Sequence, residues 1–503
     1  MDLPFQRPSI QCRTFSSPHV EKIIDDMKEK MVDKDLARLF ENAFPNTLDT
    51  TVRWHVDGTE VKHDELRRST RDTGSWDGPQ SFIVTGDINA EWLRDSTNQL
   101  LQYQPLAKKD PTIYTLILGA INTQAEFVIK SPYCNAFQPP PPSKLKVTQN
   151  GQQDEVHPAY EPSAVFECKY ELDSLAAFLS LTNTFHNHTG SLDFLTPRWY
   201  IALESLLEVI DQQSKPTFDP ITGQFRQNEY RFQRQTNSGT ETLSLAGHGN
   251  PLNNGTGLVR SAFRPSDDAS ILGFYIPANA MMSVELKRTA AILRKTGKTT
   301  QATALEEQGN VMEAGIWEHG VVNHKKYGKV FAYEVDGYGS QIIMDDANVP
   351  SLLSLPILGF VDVNDEVYQN TRKMILDKSG NPYYLAGKSF KGIGGPHIGL
   401  ENAWPMSLLL QAMTTDDDEE ITENLDLVLR SCNYGLVHES INVNAMRDYT
   451  RPWFACKFEM QTWKKAWLTE IGANSVFAQT ILDLAQRKPY LLFGPGAESY
   501  VVE

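Results

Sequence analysis

The stretch Thr85 to Leu100, TGDINAEWLRDSTNQL, sets Asp87, Glu91, Arg94 and Asp95 around Trp92, among Ala90, Leu93 and Leu100, which read as buried. Charges held among apolar neighbours are costly unless paired or hydrogen-bonded. A polyhydroxylated ligand supplies that pairing, because carboxylates and a guanidinium fork engage hydroxyls while an indole covers the apolar face of a sugar ring. The plain structural alternative is a helix start capped by Thr85 or Asp87, with Arg94 and Asp95 as an ion pair. Recurrence of similar clusters along the chain favours the ligand.

In FRPSDDA, Ser266 can cap a helix, which would place Asp267 and Asp268 in its first turn beside Arg264. Adjacent carboxylates repel, so one can hold its proton near neutral pH, as a general acid must. GGPHIGLENAWP puts His397, Glu401 and Trp404 on a glycine-rich loop entering a helix, and VHES supplies His438 and Glu439. Glu171 and Asp173 in YELDS, and Asp345 and Asp346 in IMDDAN, add further carboxylates. Singly, each reads equally well as a capped helix or a satisfied half-buried side chain.

The elements that would carry these residues are mostly helical. Apolar spacing predicts helices over Trp199 to Ile210, Ala278 to Leu293, Thr300 to Trp317, Glu366 to Ile375, Ala403 to Met413, Ile421 to Leu429 and Ile471 to Leu484. Val330 to Val335 and Gln341 to Met344 read as small hairpins, and the acidic run Asp416 to Glu420 as a helix N-terminus. Gln138 to Ser143, with four consecutive prolines, reads as an exposed loop, and no fixed-period repeat is present.

With 503 residues, 40% hydrophobic, the chain can bury a large core, and a formal charge of −16 argues against a nucleic-acid or anionic-membrane partner. No run of about 18 apolar residues predicts a membrane span. The first residues lack the basic and apolar regions of a signal peptide. Two sequons, at Asn187 and Asn254, fit a secreted protein or a secretory-pathway lumen, with the cytoplasm as the alternative. Five scattered cysteines exclude a disulfide scaffold and a CxxC metal knuckle, and leave one or two bridges open.

Taken in order, TGDINAEWLRDS, KYELDSL, FRPSDDA, IPANAMM, FAYEVDGYG, IMDDANVPSLL, GPHIGLENAWP, VHES and RPWFA resemble glycoside hydrolase family 125, the exo-α-1,6-mannosidases, and especially its fungal members, from about Arg7 to the C-terminus. The resemblance implies a mainly α fold, an (α/α)6 barrel with short β-hairpins in loops. It also implies release of a non-reducing terminal α-1,6-linked mannose with inversion, with no metal and no cofactor. It places the acid in RPSDD, assigned to Asp268 with Asp267 as the less favoured neighbour, and the base at Glu439. Asp87, Trp92, Arg94, Asp95, Glu171, Arg264, His397, Glu401, Trp404 and His438 become candidate ligands of a mannose-containing oligosaccharide. The expected organisation is one domain over 1–503 with an N-terminal extension of about 20 residues, in a monomer with neither nucleic-acid nor membrane partners.

The chain departs from the family pattern after Ala455, where CKFEMQTWKK precedes Ala466-Trp467 and resembles an insertion at 456–465. A catalytically impaired mannose-binding homologue is therefore the rival reading. A metal-dependent glycosyltransferase using Asp345-Asp346 lacks a nucleotide-binding glycine loop, and a structural helical-repeat protein leaves the clusters unexplained.

Overall fold

The computed structural model describes residues 2–59, 76–86, 88–449 and 472–502. Its helices are α1 (Pro18–Lys30), α2 (Lys34–Ala43), α3 (Asn46–Thr50), α4 (Leu93–Leu100), α5 (Pro111–Lys130), α6 (Leu172–Thr189), α7 (Pro197–Gln213), α8 (Ile276–Lys295), α9 (Thr299–Gly315), α10 (Leu355–Leu358), α11 (Glu366–Ile375), α12 (Pro405–Met413), α13 (Asp418–Ser431) and α14 (Gly472–Arg487). Their boundaries follow local chemistry. Asp110 accepts the Thr112 and Ile113 N–H groups ahead of Pro111, Thr196 caps α7 ahead of Pro197, and Asp417 caps α13 through Glu419 and Glu420.

Burial separates the helices into two rings. In α4 and α12 nearly every side chain is buried, polar ones included, and so is all of 172–179 in α6 and 276–286 in α8, whereas α7, α9, α11 and α13 bury one stripe and expose the other face. α4 packs on α6, α6 on α8, α8 on α10, and α12 on α14, which returns to α4, while α9 backs α8, α13 backs α12 and α2 backs α14. This is the (α/α)6 barrel that the resemblance implied. α5 is long and apolar enough to cross a membrane by length and composition, a feature the apolar-run criterion missed, but most of it is buried within the structure.

Short strands lead into the inner helices and tie their entrances together. Glu91–Trp92 precedes α4 and pairs with Ala136–Phe137, which pairs in turn with Val165–Glu167 ahead of α6. Phe274–Tyr275 precedes α8 and pairs with Glu334–Val335, and Asn402–Ala403 precedes α12 and pairs with Ile441–Asn442. The sheets therefore bring to one end of the barrel the motifs that the sequence separates by hundreds of residues.

Two local expectations change. Ser266 caps no helix: residues 265–268 form a turn, and α8 begins only at Ile276, because Pro277 and the strand Phe274–Tyr275 set its start. Gln138, Pro139 and Pro140 are buried, since the Gln138 side chain pairs with both backbone groups of Thr148 and draws the proline run inward.

Candidate active site

Arg94 lies in the first turn of α4, where the preceding strand aims it at the start of α6. Its guanidinium donates to Glu171 Oε2 at 2.6 Å, Asp173 Oδ2 at 3.1 Å and Asp95 Oδ2 at 3.2 Å. All four groups are buried, and one cation cannot hold three carboxylates ionised out of water. Burial accordingly pushes Glu171 up to about 8 despite Arg94, and raises Asp95 and Asp173 as well. At neutral pH the cluster retains protons and can both donate to and accept from hydroxyls. Asn135 supports it, donating to Glu171 Oε1 at 3.2 Å and accepting from Lys169 N–H at 3.0 Å, and the Cys134–Cys168 disulfide joins the two segments.

The adjacent aspartates face different partners. Asp267 adopts a left-handed φ of 69°, a conformation Asp tolerates better than most residues, and its carboxylate pairs with Lys169 at 3.0 Å. Its side chain is 28% exposed. Burial would raise its pKa, but Lys169, His397 and Arg94 outweigh that and hold it below the ordinary value, so Asp267 is an anion. Asp268 is 1% exposed, with its Oδ2 3.3 Å from Ser266 Oγ. Burial first, and then the nearby Asp346, push it up to about 6 against His397 and Arg264. The carboxylate that raises Asp268 is thus Asp346 rather than the adjacent Asp267, because the turn sends the two side chains apart.

Behind this pair, Ser266 donates to Asp346 Oδ2 at 2.7 Å, and Tyr333 donates to the same oxygen at 2.9 Å. Arg264 donates through Nε to Glu334 Oε1 at 2.6 Å and lies over the Tyr333 ring, leaving Nη2 buried with no partner among the described residues. Asp345 accepts the Leu352 and Leu353 N–H groups, which makes it a backbone anchor rather than the cation ligand of the glycosyltransferase reading. Among the described residues no group of His, Cys, Asp and Glu is arranged to hold a metal.

The glycine-rich loop closes the other side. A Cβ on Gly395 would stand 2.7 Å from the Trp404 ring and 3.3 Å from Asp346 Cβ, so glycine is required where the loop crosses between them. Trp404 is buried, whereas His397, which acts electrostatically on both Asp267 and Asp268, and Glu401 are exposed. Glu439 is half-buried two positions before Ile441, which pairs with Ala403 beside Trp404. Its neighbours Val437, His438 and Ser440 are all buried, and the His438 ring stacks on Tyr449.

The structure therefore joins Arg94, Asp95, Glu171, Arg264, Asp267, Asp268 and His397 in one network, sets Trp404 across Gly395 from Asp346, and ties the segment carrying Glu439 to the strand before Trp404. Trp92 is half-buried against Phe166 in a small separate apolar group. Asp87, Arg451, Trp453 and the 456–465 segment lie outside the described residues. Sequence reasoning passed over Lys169, Asn135, Tyr333 and Glu334; Lys169 alone carried a signal, as a cation next to a carboxylate-rich run.

A family model described as metal-independent alpha-mannosidase matches residues 33–482. The chain belongs to glycoside hydrolase family 125. The meiotically up-regulated gene 157 protein of Schizosaccharomyces pombe is 55% identical over 491 residues, covering 97% of this chain and 90% of that protein. A solved metal-independent α-mannosidase from Streptococcus pneumoniae, in a non-productive substrate complex with α-1,6-mannobiose, has a TM-score of 0.76 and 31% identity over 93% of this chain and 99% of its own. Family 125 membership makes the protein a glycoside hydrolase of α-mannosidase type.

Proposed function

We propose that the protein is an exo-acting α-1,6-mannosidase that releases non-reducing terminal mannose by inverting, single-displacement hydrolysis. The observation that carries this is the division of labour at Asp267-Asp268: one carboxyl is held as an anion by Lys169, and the other is raised to about 6 by burial and Asp346. Inversion needs one protonated carboxyl to donate to the leaving oxygen and one carboxylate, roughly 6.5–9.5 Å away, to activate water. Asp268 is the acid, Glu439 is the base, and Asp267 is a charged ligand beside Arg94 and Glu171. The α-1,6 linkage draws support from the Streptococcus pneumoniae neighbour's complex with α-1,6-mannobiose.

Arg94, Asp95, Glu171 and Arg264 Nη2 supply donors and acceptors for the sugar hydroxyls, with Trp404 at the wall. Exposed Asn187 and Asn254 and the Cys134–Cys168 bridge favour a secreted or secretory-lumen location. Asp268→Asn and Glu439→Gln should each lower kcat on α-1,6-mannobiose by about 10²–10⁴-fold without changing circular dichroism. Loss in Asp267→Asn with retention in Asp268→Asn would transfer the acid to Asp267.

A further inference from the structure

A cavity of about 640 Å³ opens where α7 ends, between Gln212 and the loops carrying Phe225, Asn228 and His248, with Arg260 in its wall. None of the catalytic network lines it. Arg260 is 5% exposed, yet among the described residues no carboxylate pairs with it: its Nη1 donates to the His248 carbonyl at 3.3 Å and its Nε has no partner. The other deeply buried guanidinia are paired, Arg94 with three carboxylates and Arg264 with Glu334. Burial pushes Arg260 down to about 10, as expected of a cation without a counter-charge.

Two more lining nitrogens, Asn228 Nδ2 and His248 Nδ1, are also buried without a partner among the described residues, and no lining side-chain oxygen is in that condition. Burial, with Arg231 and Arg260 nearby, lowers the His248 pKa, so its ring is neutral, and it offers Nδ1 as a donor in the Nδ1–H tautomer. The wall carries three cations, Arg260, Lys215 and Arg226, against one carboxylate, the exposed Glu229, and its buried unpartnered side-chain atoms are all nitrogens, which favours an acceptor-rich anion. At the mouth, Phe225 is 54% exposed and meets the His248 ring edge-on at 5.3 Å, leaving an aromatic surface beside the cation.

We propose that this cavity is a second, non-catalytic site that binds a phosphorylated saccharide, its phosphate on Arg260, Asn228 and His248 and its ring against Phe225. The saccharide half rests on the α-mannosidase reading; the phosphate half rests on the unpaired donors alone. Phosphate fits because it offers three terminal oxygens to three nitrogens, and a guanidinium can take two of them bidentately.

Calorimetric titration of the full chain with mannose 6-phosphate, mannose and inorganic phosphate tests this, and none of these probes has a glycosidic bond, so failure of hydrolysis does not affect the result. Mannose 6-phosphate should bind saturably and more tightly than either other probe, and Arg260→Gln should weaken it about ten- to a hundred-fold. Phe225→Ala, at an exposed position, should weaken it several-fold and leave inorganic phosphate unchanged. Arg260→Gln removes an uncompensated buried charge and should melt no lower than wild type; if it does not fold, Arg260→Lys, which loses the planar fork, takes its place with the same expected direction. Equal binding of mannose, absence of saturable binding, or an affinity indifferent to Arg260 overturns the proposal. Inorganic phosphate binding as tightly as mannose 6-phosphate, with Phe225→Ala silent, overturns its saccharide half.

Discussion

Replacing Asp268 by Asn removes a carboxyl that burial and Asp346 raise from 3.8 to about 6. A raised carboxyl means that, between those values, the native protein keeps a proton that the unfolded chain has released. The resulting stabilisation is fully present below about pH 4 and is lost as pH rises through about 6. From 3.8 to about 6, at about 1.36 kcal/mol for each pH unit, the difference is about 3 kcal/mol, and with Asp268 only 1% exposed there is little solvent screening to discount. An amide of the same shape does not ionise, so Asp268→Asn should exceed wild type by up to about 3 kcal/mol at pH 8 and match it at about pH 4. For 503 residues the unfolding entropy is about 1 kcal/mol per degree, so the gain in Tm at pH 8 is about 3 °C. Differential scanning calorimetry of both proteins from about pH 4 to pH 8 measures it. An offset independent of pH, or a variant less stable at pH 8, would mean that Asp268 is already ionised in the native protein at low pH and cannot be the proton donor.

Arg94→Met leaves Glu171, Asp173 and Asp95 buried around an apolar side chain and should cost about 3–5 kcal/mol in urea unfolding at neutral pH, shrinking in acid as the carboxylates take up protons. A midpoint equal to wild type at both pH values would deny that the guanidinium holds the cluster together. If the 456–465 segment only loops out, deleting it to leave a continuous RPWFAAW should keep hydrolysis of α-1,6-mannobiose within a few-fold and raise Tm slightly, because closure entropy changes little with loop length. A deletion variant that fails to fold would place those residues in the core, and one that gains activity strongly would support the impaired-homologue reading.

The helices were legible because barrel helices carry apolar periodicity over long windows: α11 has the bounds read from sequence, and α8 and α13 extend two or three residues beyond theirs at each end. The FRPSDD turn was not, because Ser followed by two acidic residues is also a good helix start, and only the pairing of Phe274–Tyr275 with Glu334–Val335 fixes where α8 begins. The carboxylates, Arg94 and His397 could be found as types in clusters. The partners that decide their charge, Lys169 for Asp267 and Asp346 for Asp268, lie 98 and 78 positions away and meet them only through tertiary packing. The proline run misled over its first half alone, where a single buried glutamine, Gln138, draws Pro139 and Pro140 inward, while Pro141 is exposed as its composition implies.

The mechanism is tested most directly by proton NMR of the first product formed from α-1,6-mannobiose, recorded before mutarotation, with Glu439→Gln as the inactive control. Direct attack of water opposite Asp268 should give β-mannose first, with the α-anomer growing in only as the sugar equilibrates. Initial α-mannose would contradict single displacement and with it the assignment of Asp268 and Glu439 as acid and base.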